Sequence, residues 1–340
     1  MDRDRLERTA RLLVAPGKGI LAADESTGTM KKRLDGIQVA STAENRRAYR
    51  ELMFTAPGVE AHISGVILYD ETIRQSAADG TPFPRLLAGR GIAPGIKVDT
   101  GAKPLAGFGG EVVTEGLDGL RERLAEYRDL GATFAKWRAV IAIGDGLPTA
   151  GCVAANAHAL ARYAALCQDA GIVPIVEPEV LMDGDHTLER CDAVTEAVLS
   201  AVYAELRAQR VHLEGTLLKP NMVISGQACP VQADVRTVAE ATVRCLRRTV
   251  PGAVPGIVFL SGGQTPEQAT AHLSAMNALG THPWELSFSY GRALQQPVLQ
   301  AWKGQAANAA AAQAAFRHRA RCNGAARDGT YTAAMESAAA

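Results

Sequence analysis

Short runs of apolar residues recur along the chain, and each run closes on a polar or charged residue. The apolar positions within a run are mostly consecutive, which is typical of a short buried strand. Eight such runs are present: Gly19–Asp24, Gly65–Glu71, Gly95–Asp99, Phe134–Arg138, Val173–Glu179, Thr216–Met222, Gly256–Gly263 and Glu285–Arg292. Most are separated by a stretch long enough to hold a helix, so the pattern predicts strands and helices in alternation.

Three of the intervening segments carry apolar residues at helical spacing. They are Leu117–Leu130, which is followed by Gly131 as a stop signal, Thr149–Ala170, which ends at Gly171, and Thr187–Gln209. Strand and helix alternating eight times predict an α/β fold, for which a (β/α)8 TIM barrel is the simplest closure. An open doubly wound sheet is the alternative, although no G-x-G-x-x-G motif follows the first run.

The ends of the chain differ from this alternating middle. The 340 residues are 47% hydrophobic and 21% charged, which fits one large barrel with extensions better than two small domains. Residues 1–8 form a charged amphipathic stretch and predict a helical extension without a signal-peptide core. Residues 304–326 are rich in alanine and predict a helix outside the barrel. We therefore expect a single barrel domain over residues 1–327 and a mobile tail over residues 328–340.

Charge and ligand spacing limit the partners. Lysine plus arginine and aspartate plus glutamate both number 36, so the net charge is zero and neither nucleic acid nor a membrane is an expected partner. No apolar run approaches the roughly 20 residues of a membrane span, and we expect a cytoplasmic protein. The six cysteines form no C-x-x-C pair, which is typical of free thiols in a reducing cytosol. The seven histidines show no H-x-x-H spacing, so we expect no catalytic metal and no cofactor.

The sixth run contains a lysine, Lys219, where its apolar part ends. Lysine is depleted from strand interiors and is rarely fully buried without a reason. Burial disfavours an ammonium group, and the neutral amine is the form that attacks a ketone to give a Schiff base. The alternative is a side chain that extends from the strand end into solvent. In a barrel, the polar residues that close the runs would converge at one mouth, which is where active sites lie. This favours the interpretation of Lys219 as a buried, functional lysine.

Three lysines, Lys97, Lys136 and Lys219, come from three different runs and would meet at this mouth. Cations gathered in one place attract a doubly charged phosphate ester. Their mutual repulsion also lowers the pKa of the ammonium groups. Lys219 has the most apolar flanks, so we predict that it is the nucleophile. Lys136 lies beside Trp137 and close to Arg138, which suits electrostatic stabilisation better than attack.

The seventh and eighth runs along the chain predict a phosphate site. Ser261–Glu267 combines a strand end, a glycine turn and a helix start with an early proline, where backbone N–H groups bind anions. Ser289–Arg292 adds exposed backbone and an arginine suited to bidentate phosphate binding. A plain turn is the alternative for the Ser-Gly-Gly triplet, but phosphate sites after strands seven and eight are frequent in such barrels.

Carboxylates at the same mouth could transfer protons. Glu177 and Glu179 lie two residues apart on one predicted strand and so share a face, while Asp24 closes the first run. A solvated loop is the alternative for the Glu-Pro-Glu sequence. Beside three lysines, these carboxylates are better explained as groups that exchange protons with the substrate.

The order of these motifs resembles the class I fructose-bisphosphate aldolases over roughly the first 300 residues. The matching stretches are Ala23–Gly28, Phe134–Arg138, Ile175–Glu179, Glu214–Met222, Leu260–Gln264 and Phe288–Leu294. The resemblance implies a (β/α)8 barrel, a cytoplasmic homotetramer, and no cofactor. It also implies metal-free, reversible cleavage of fructose 1,6-bisphosphate, a phosphorylated sugar, to dihydroxyacetone phosphate and glyceraldehyde 3-phosphate in glycolysis and gluconeogenesis.

The same resemblance implies roles for individual residues. Lys219 would form the Schiff base, Glu177 would transfer protons during carbinolamine dehydration, and Asp24 would assist carbon–carbon cleavage. Lys136 and Glu179 would shape the charge around them. The residues implied to bind the substrate are Arg33, Ser26, Thr29, Lys97, Arg138, Ser261, Gly262, Gly263, Ser289, Gly291 and Arg292. A different Schiff-base enzyme such as a transaldolase, or a barrel kept only as a binding scaffold, are the competing hypotheses.

Overall fold

Eight parallel strands close into a barrel in the computed structural model, which describes residues 2–337. The ten strands in this part of the chain are β1 (Gly19–Ala23), β2 (Ile63–Leu68), β3 (Ala93–Lys97), β4 (Gly101–Pro104), β5 (Val112–Glu115), β6 (Phe134–Ile141), β7 (Val173–Val180), β8 (Leu217–Leu218), β9 (Gly256–Phe259) and β10 (Glu285–Tyr290). Around the barrel the order is β1-β10-β9-β8-β7-β6-β3-β2, and every adjacent pair is parallel. The predicted (β/α)8 barrel is confirmed, and the open sheet is excluded.

Helices connect the strands and cover the barrel. Within residues 2–337 the α-helices are α1 (Arg3–Leu13), α2 (Thr27–Asp35), α3 (Ala43–Phe54), α4 (Asp70–Ile73), α5 (Phe83–Gly89), α6 (Leu120–Asp129), α7 (Ala150–Asp169), α8 (Leu188–Ala208), α9 (Val235–Thr249), α10 (Pro266–Ala278), α11 (Arg292–Trp302), α12 (Ala309–Arg327) and α13 (Ala334–Ser337). Short 3-10 turns lie at Val59–Ala61, Leu213–Gly215 and Ala306–Asn308.

The predicted helices are present, with shifted starts at two places. α6 begins three residues after the predicted Leu117, because Gly119 takes a left-handed conformation (φ 65°) immediately before the helix. α12 begins at Ala309 rather than at residue 304, because Lys303 is left-handed and a 3-10 turn follows it. α7 and α8 match their predicted segments to within one residue at each end.

The N-terminal helix packs against the barrel interior. α1 buries Leu6, Ala10 and Leu13 in one cluster with residues of the barrel strands. A Cβ at Gly65 on β2 would lie 2.6 Å from Leu13 Cδ2, so glycine makes room for the helix. Phe134 on β6 joins the same cluster. These apolar groups fill the N-terminal end of the barrel, and the polar residues occupy the opposite end.

A second, larger core lies between the strands and the outer helices. Trp137 on β6 is fully buried, and its ring centroid lies 5.6 Å from that of Tyr163 on α7. The Tyr163 hydroxyl donates to the carbonyl of Ile175 on β7, 3.2 Å away. Because neighbouring strand residues face opposite sides, anchoring Trp137 outward directs Lys136 into the barrel.

The remaining segments include one feature that the sequence did not predict. β4 and β5 form an antiparallel hairpin between β3 and β6 along the chain. All six cysteines are buried free thiols, as expected. Among the described residues, no helix combines the length and the apolar character needed to cross a membrane. In the tail, α13 follows Asp328, and the last residues, 338–340, lie outside the described part of the chain.

Candidate active site

The charged residues that close the predicted strand runs lie at the C-terminal ends of the barrel strands. Asp24 directly follows β1, Lys97 ends β3, and Lys219 follows β8. β6 carries Lys136 and Arg138 two positions apart, so both share one face of the strand. In the pairing of β3 with β6, Lys97 is the direct partner of Lys136. The barrel therefore brings charged groups from four strands to one end.

One cavity of about 760 Å³ opens at this end of the barrel. Its volume is in the range of pockets that bind small molecules. It is lined by all sixteen residues predicted for catalysis or substrate binding, namely Asp24, Ser26, Thr29, Arg33, Lys97, Lys136, Arg138, Glu177, Glu179, Lys219, Ser261, Gly262, Gly263, Ser289, Gly291 and Arg292. The fold brings these residues together, while the role of each one stays a prediction.

Two lysines and two carboxylates form a chain of ion pairs across the floor of the cavity. Lys136 Nζ lies 2.8 Å from Asp24 Oδ2 and 3.0 Å from Glu177 Oε2. Lys219 Nζ lies 3.1 Å from the other oxygen of Glu177, Oε1. Lys136, Glu177 and Lys219 are each less than 5% exposed. Glu177 therefore lies between the two ammonium groups, and Lys136 lies between the two carboxylates.

The pKa values of these groups follow from burial and from their neighbours. Burial alone would raise the pKa of the Asp24 carboxyl, but the charges of Lys136, Lys219 and Lys97 hold it well below its usual range. Burial likewise opposes ionisation of Glu177, and the same two buried lysines together with Arg138 lower its pKa. Both carboxylates are therefore ionised in the free site at neutral pH.

Lys136 is fixed as a cation. Burial would lower its pKa, but the charges of Asp24, Glu177 and Asp99 outweigh this and raise the pKa above its usual value. A permanently protonated amine cannot attack a carbonyl. Lys219, by contrast, contacts a single carboxylate among the residues described. The geometry thus separates an electrostatic lysine from a candidate nucleophile.

Two further pairs hold the walls of the cavity. Arg138 Nε donates to Glu179 Oε2, and this contact raises the pKa of Arg138 against the lowering effect of burial. Lys97 Nζ lies 2.8 Å from Asp99 Oδ1 and donates to the Asp99 carbonyl at 3.2 Å. The second carboxylate oxygen of Asp99 accepts from the backbone N–H of Arg138, 3.2 Å away. Asp99 therefore connects the lysine of β3 to the backbone of β6.

The glycine turn after β9 is closely packed against Met182. A Cβ at Gly262 would lie 2.3 Å from Met182 Cε, and a Cβ at Gly263 would lie 2.2 Å from Met182 Cγ. Gly263 also has a positive φ of 74°, which favours glycine. With no side chain at these two positions, the backbone itself lines the cavity. This is the arrangement that the phosphate prediction requires.

The start of α11 provides a second place for an anion. Gly291 is its N-cap and supplies no side-chain hydrogen bond to the first turn. Ser289, at the end of β10, is 1% exposed, and its hydroxyl oxygen has no hydrogen-bond partner within residues 2–337. Free backbone N–H groups, the positive end of the helix dipole and an unpaired hydroxyl all favour a bound phosphate. Arg292, the first residue of α11, adds a full positive charge.

On the other side of the cavity, α2 carries the remaining predicted residues. Ser26 is its N-cap and accepts a hydrogen bond from the backbone N–H of Thr29. Arg33 Nη1 donates to Glu25 Oε1 at 2.5 Å. The same oxygen accepts from Gln295 Nε2 of α11, 2.6 Å away. Glu25 thus links α2 to α11 and fixes the direction of Arg33.

Among the cavity residues that the sequence analysis missed are two buried carboxylates, Glu25 and Asp99. Both carboxylates are 8% exposed and line the cavity. Glu25 directly follows the run that ends at Asp24, and Asp99 ends the run that contains Lys97. For Asp99 the available signal was its position two residues after a predicted cation, since buried charges are normally paired.

Comparison with known proteins gives a consistent result over nearly the whole chain. The family model described as fructose-bisphosphate aldolase class-I matches residues 5–340. A protein of Xanthomonas campestris named "Probable fructose-bisphosphate aldolase class 1" is 61% identical over 325 residues, covering 95% of this chain and 97% of its own. Fructose-bisphosphate aldolase of Dictyostelium discoideum is 54% identical over 332 residues, covering 97% and 93% respectively.

A solved structure shares the fold as well as the sequence. It is a ternary co-crystal structure of fructose-bisphosphate aldolase from Plasmodium falciparum in complex with TRAP and a small molecule inhibitor. The chain is 50% identical to it with a TM-score of 0.96, and the match covers 97% of this chain and 95% of the other.

Proposed function

The chain belongs to the class I fructose-bisphosphate aldolase family, and we propose that Lys219 is the residue with which it forms the Schiff base. The enzyme is a lyase that cleaves fructose 1,6-bisphosphate reversibly to dihydroxyacetone phosphate and glyceraldehyde 3-phosphate through a lysine imine, without a catalytic metal. The observation that carries the assignment is the pairing of the buried lysines: Lys136 contacts two carboxylates, and Lys219 contacts one.

Imine formation needs a group that moves protons beside Lys219. The amine attacks the substrate ketone and gives a carbinolamine, whose nitrogen must lose a proton and whose hydroxyl must leave as water. Glu177 Oε1 lies 3.1 Å from Lys219 Nζ, within reach of both transfers. Glu177 accepts the proton that the Lys219 nitrogen loses. Because the nitrogen is then neutral, Glu177 has one cation fewer beside it, so the pKa of Glu177 rises and it holds that proton. It then gives that proton to the departing hydroxyl.

Carbon–carbon cleavage needs a base on the other side of Lys136. The protonated imine accepts the electron pair of the C3–C4 bond and becomes an enamine, while the C4 hydroxyl loses its proton and becomes the aldehyde. We assign that proton to Asp24, which is held by Lys136 at 2.8 Å. The free carboxylate is a weak base, because the lysines lower its pKa. A bound bisphosphate brings negative charge into the cavity, and this raises the proton affinity of Asp24.

We assign the two ends of the cavity to the two phosphates. Ser261, the glycine turn after β9, Ser289 and the start of α11 surround one position that is rich in backbone donors. We assign Ser26, Thr29 and Lys97, which also line the cavity, to the other. Arg138, paired with Glu179, is a further lining residue. A substrate with a phosphate at each end would place its ketone and its C3–C4 bond over the lysine–carboxylate chain.

Reductive trapping tests the assignment of Lys219. Borohydride added together with dihydroxyacetone phosphate should reduce the imine to a stable secondary amine and inactivate the enzyme. Peptide mapping by mass spectrometry should then place the adduct on Lys219. An adduct on Lys136 or Lys97 would overturn the assignment, and the control is borohydride without the ketone, which should leave activity intact.

Arg292→Ala should weaken substrate binding more than it slows the chemistry. A charge-assisted hydrogen bond to phosphate contributes about 1.5–3 kcal/mol. We therefore expect KM to rise by about one to two decades, with a smaller fall in kcat. Steady-state kinetics with fructose 1,6-bisphosphate measure both constants. Arg244→Ala, which removes an exposed arginine from α9, is the matched control and should change neither. A large fall in kcat at constant KM would show that Arg292 acts in the chemistry instead.

We further propose that the enzyme works as a homotetramer in the cytoplasm. The support is the likeness to class I aldolases that the sequence motifs first indicated, together with the free state of all six cysteines. Light scattering after size-exclusion chromatography measures the mass in solution. A mass near that of one 35.8 kDa chain would reject the tetramer.

A further inference from the structure

A second cluster of reactive side chains lies outside the barrel, where α12 meets the tail. His318 and Cys322 are four residues apart on α12 and so share one face of the helix. Glu336, on α13, reaches this face from the tail. One atom from each of the three, His318 Nε2, Cys322 Sγ and a carboxylate oxygen of Glu336, lies within 4.8 Å of the other two. No other group of three such ligands this close together occurs within residues 2–337.

Two of the distances in this cluster are close to the spacing of ligands around a tetrahedral ion. His318 Nε2 lies 3.2 Å from Glu336 Oε2 and 3.7 Å from Cys322 Sγ. Zinc bound at its usual distances to nitrogen, oxygen and sulfur would separate such ligand atoms by about 3.4–3.6 Å. One imidazole nitrogen faces both a thiol and a carboxylate, and a single N–H cannot donate well to both. An ion at the centre would contact all three groups.

The carboxylate is held by other side chains in the way that metal ligands usually are. Tyr331 donates its hydroxyl to Glu336 Oε1 at 2.7 Å. Arg319 Nη1 lies 2.5 Å from Oε1 and 2.6 Å from Oε2, and its other nitrogen donates to the carbonyl of Pro266 on α10. Such outer contacts orient ligating carboxylates. The positive charge of Arg319 opposes a cation, but a thiolate and a carboxylate supply two negative charges beside it.

We propose that His318, Cys322 and Glu336 bind a zinc ion, or a similar thiophilic divalent cation, that fastens the C-terminal segment to α12. Zinc fits because thiolate, imidazole and carboxylate are its common protein ligands. Three protein ligands leave the fourth position to water. The site lies on the outside of the barrel and contributes no group to the cavity, so the ion is structural and takes no part in aldol cleavage. The proposal is therefore independent of the assignment of Lys219.

Metal titration of the full-length enzyme, purified without a metal-binding tag, tests the site directly. After EDTA treatment and dialysis, zinc should bind with a stoichiometry of about one per chain. Cobalt(II) should give the visible bands of a tetrahedral ion and a thiolate-to-cobalt charge-transfer band in the near ultraviolet. A cobalt spectrum without the thiolate band, or uptake of far less than one ion per chain, would overturn the proposal.

Variants separate this cluster from adventitious binding. Cys322→Ala and the near-isosteric Cys322→Ser should each weaken zinc binding by more than about tenfold, and Glu336→Gln should weaken it too. Cys245→Ala is the matched control, because Cys245 is also a buried thiol on an outer helix, and it should bind zinc like the parent. Zinc affinity that is unchanged in a folded Cys322 variant would place the ion elsewhere and reject the site.

Two readouts show what the ion does. Zinc should slow amide hydrogen exchange across residues 331–337 in the parent enzyme and leave it unchanged in Cys322→Ser. Cleavage of fructose 1,6-bisphosphate should stay within about twofold between the EDTA-treated and zinc-loaded enzymes, well under one decade of rate. Exchange in this segment that does not respond to bound zinc would contradict the fastening role. Activity that depends on zinc would contradict its placement outside the chemistry.

Discussion

Lys219→Met is expected to lower the turnover of fructose 1,6-bisphosphate by a factor of about 10⁵ to 10⁶, the size of loss that follows removal of a covalent nucleophile. Methionine has nearly the length of lysine but no amine, so no imine can form and the electrons of the breaking bond have no acceptor. The fold should tolerate the change, because Glu177 keeps its second cation, Lys136, at 3.0 Å. A coupled assay that reports dihydroxyacetone phosphate measures the loss.

Two controls make this result specific. Lys103→Met removes an exposed lysine from β4 and should leave turnover unchanged. Circular dichroism and thermal unfolding of Lys219→Met should match the parent, which would exclude unfolding as the cause. If the variant kept more than about a hundredth of the parent rate, or still gave a borohydride adduct with dihydroxyacetone phosphate, another lysine would be forming the imine.

The sequence predicted which residues meet at the barrel mouth because of a general property of parallel barrels. All eight strands point the same way, so a polar residue that ends an apolar run is placed at the same end as every other such residue. The prediction held even where the strand itself is short: β8 is only Leu217–Leu218, yet Lys219 still donates its backbone N–H to Val176 of β7 at 2.8 Å. Strand direction, rather than strand length, determined where this lysine lies.

Contacts between distant parts of the chain could not be predicted in this way. Gln295 donates to Glu25 across 270 residues of sequence, and neither residue belongs to a pattern that names the other. The β4–β5 hairpin was missed because three of the four residues of β4 are exposed, so this strand has no apolar run. The cluster of His318, Cys322 and Glu336 was missed because it has no familiar ligand spacing in the sequence. Glu336 reaches the other two residues only because the tail folds back against α12.

Lys136→Met is expected to reduce kcat by about two to four decades and to move the acid limb of the pH profile to higher pH. Lys136 is the cation that both carboxylates share, and it lowers the pKa of Asp24 and of Glu177. Without it, burial raises both pKa values, so each carboxyl binds a proton at a higher pH than in the parent. A protonated carboxyl cannot act as the base in either step, and activity should therefore fall at a higher pH as the solution is acidified.

Lys97→Met separates this effect from a general loss of positive charge. Lys97 is the direct register partner of Lys136 and faces the same cavity, but its pair is Asp99, and it is the smallest of the charges that lower the pKa of Asp24. Its removal should raise KM through the lost phosphate contact and move the acid limb much less. The kcat of both variants is to be measured from about pH 5 to about pH 9, the interval in which carboxyl groups with raised pKa values titrate.

An acid limb that stays in place in Lys136→Met would show that Lys136 does not control the ionisation of the carboxylates. Its contribution would then lie in contacts with the substrate, and the proton transfers assigned to Asp24 and Glu177 would need another source of basicity.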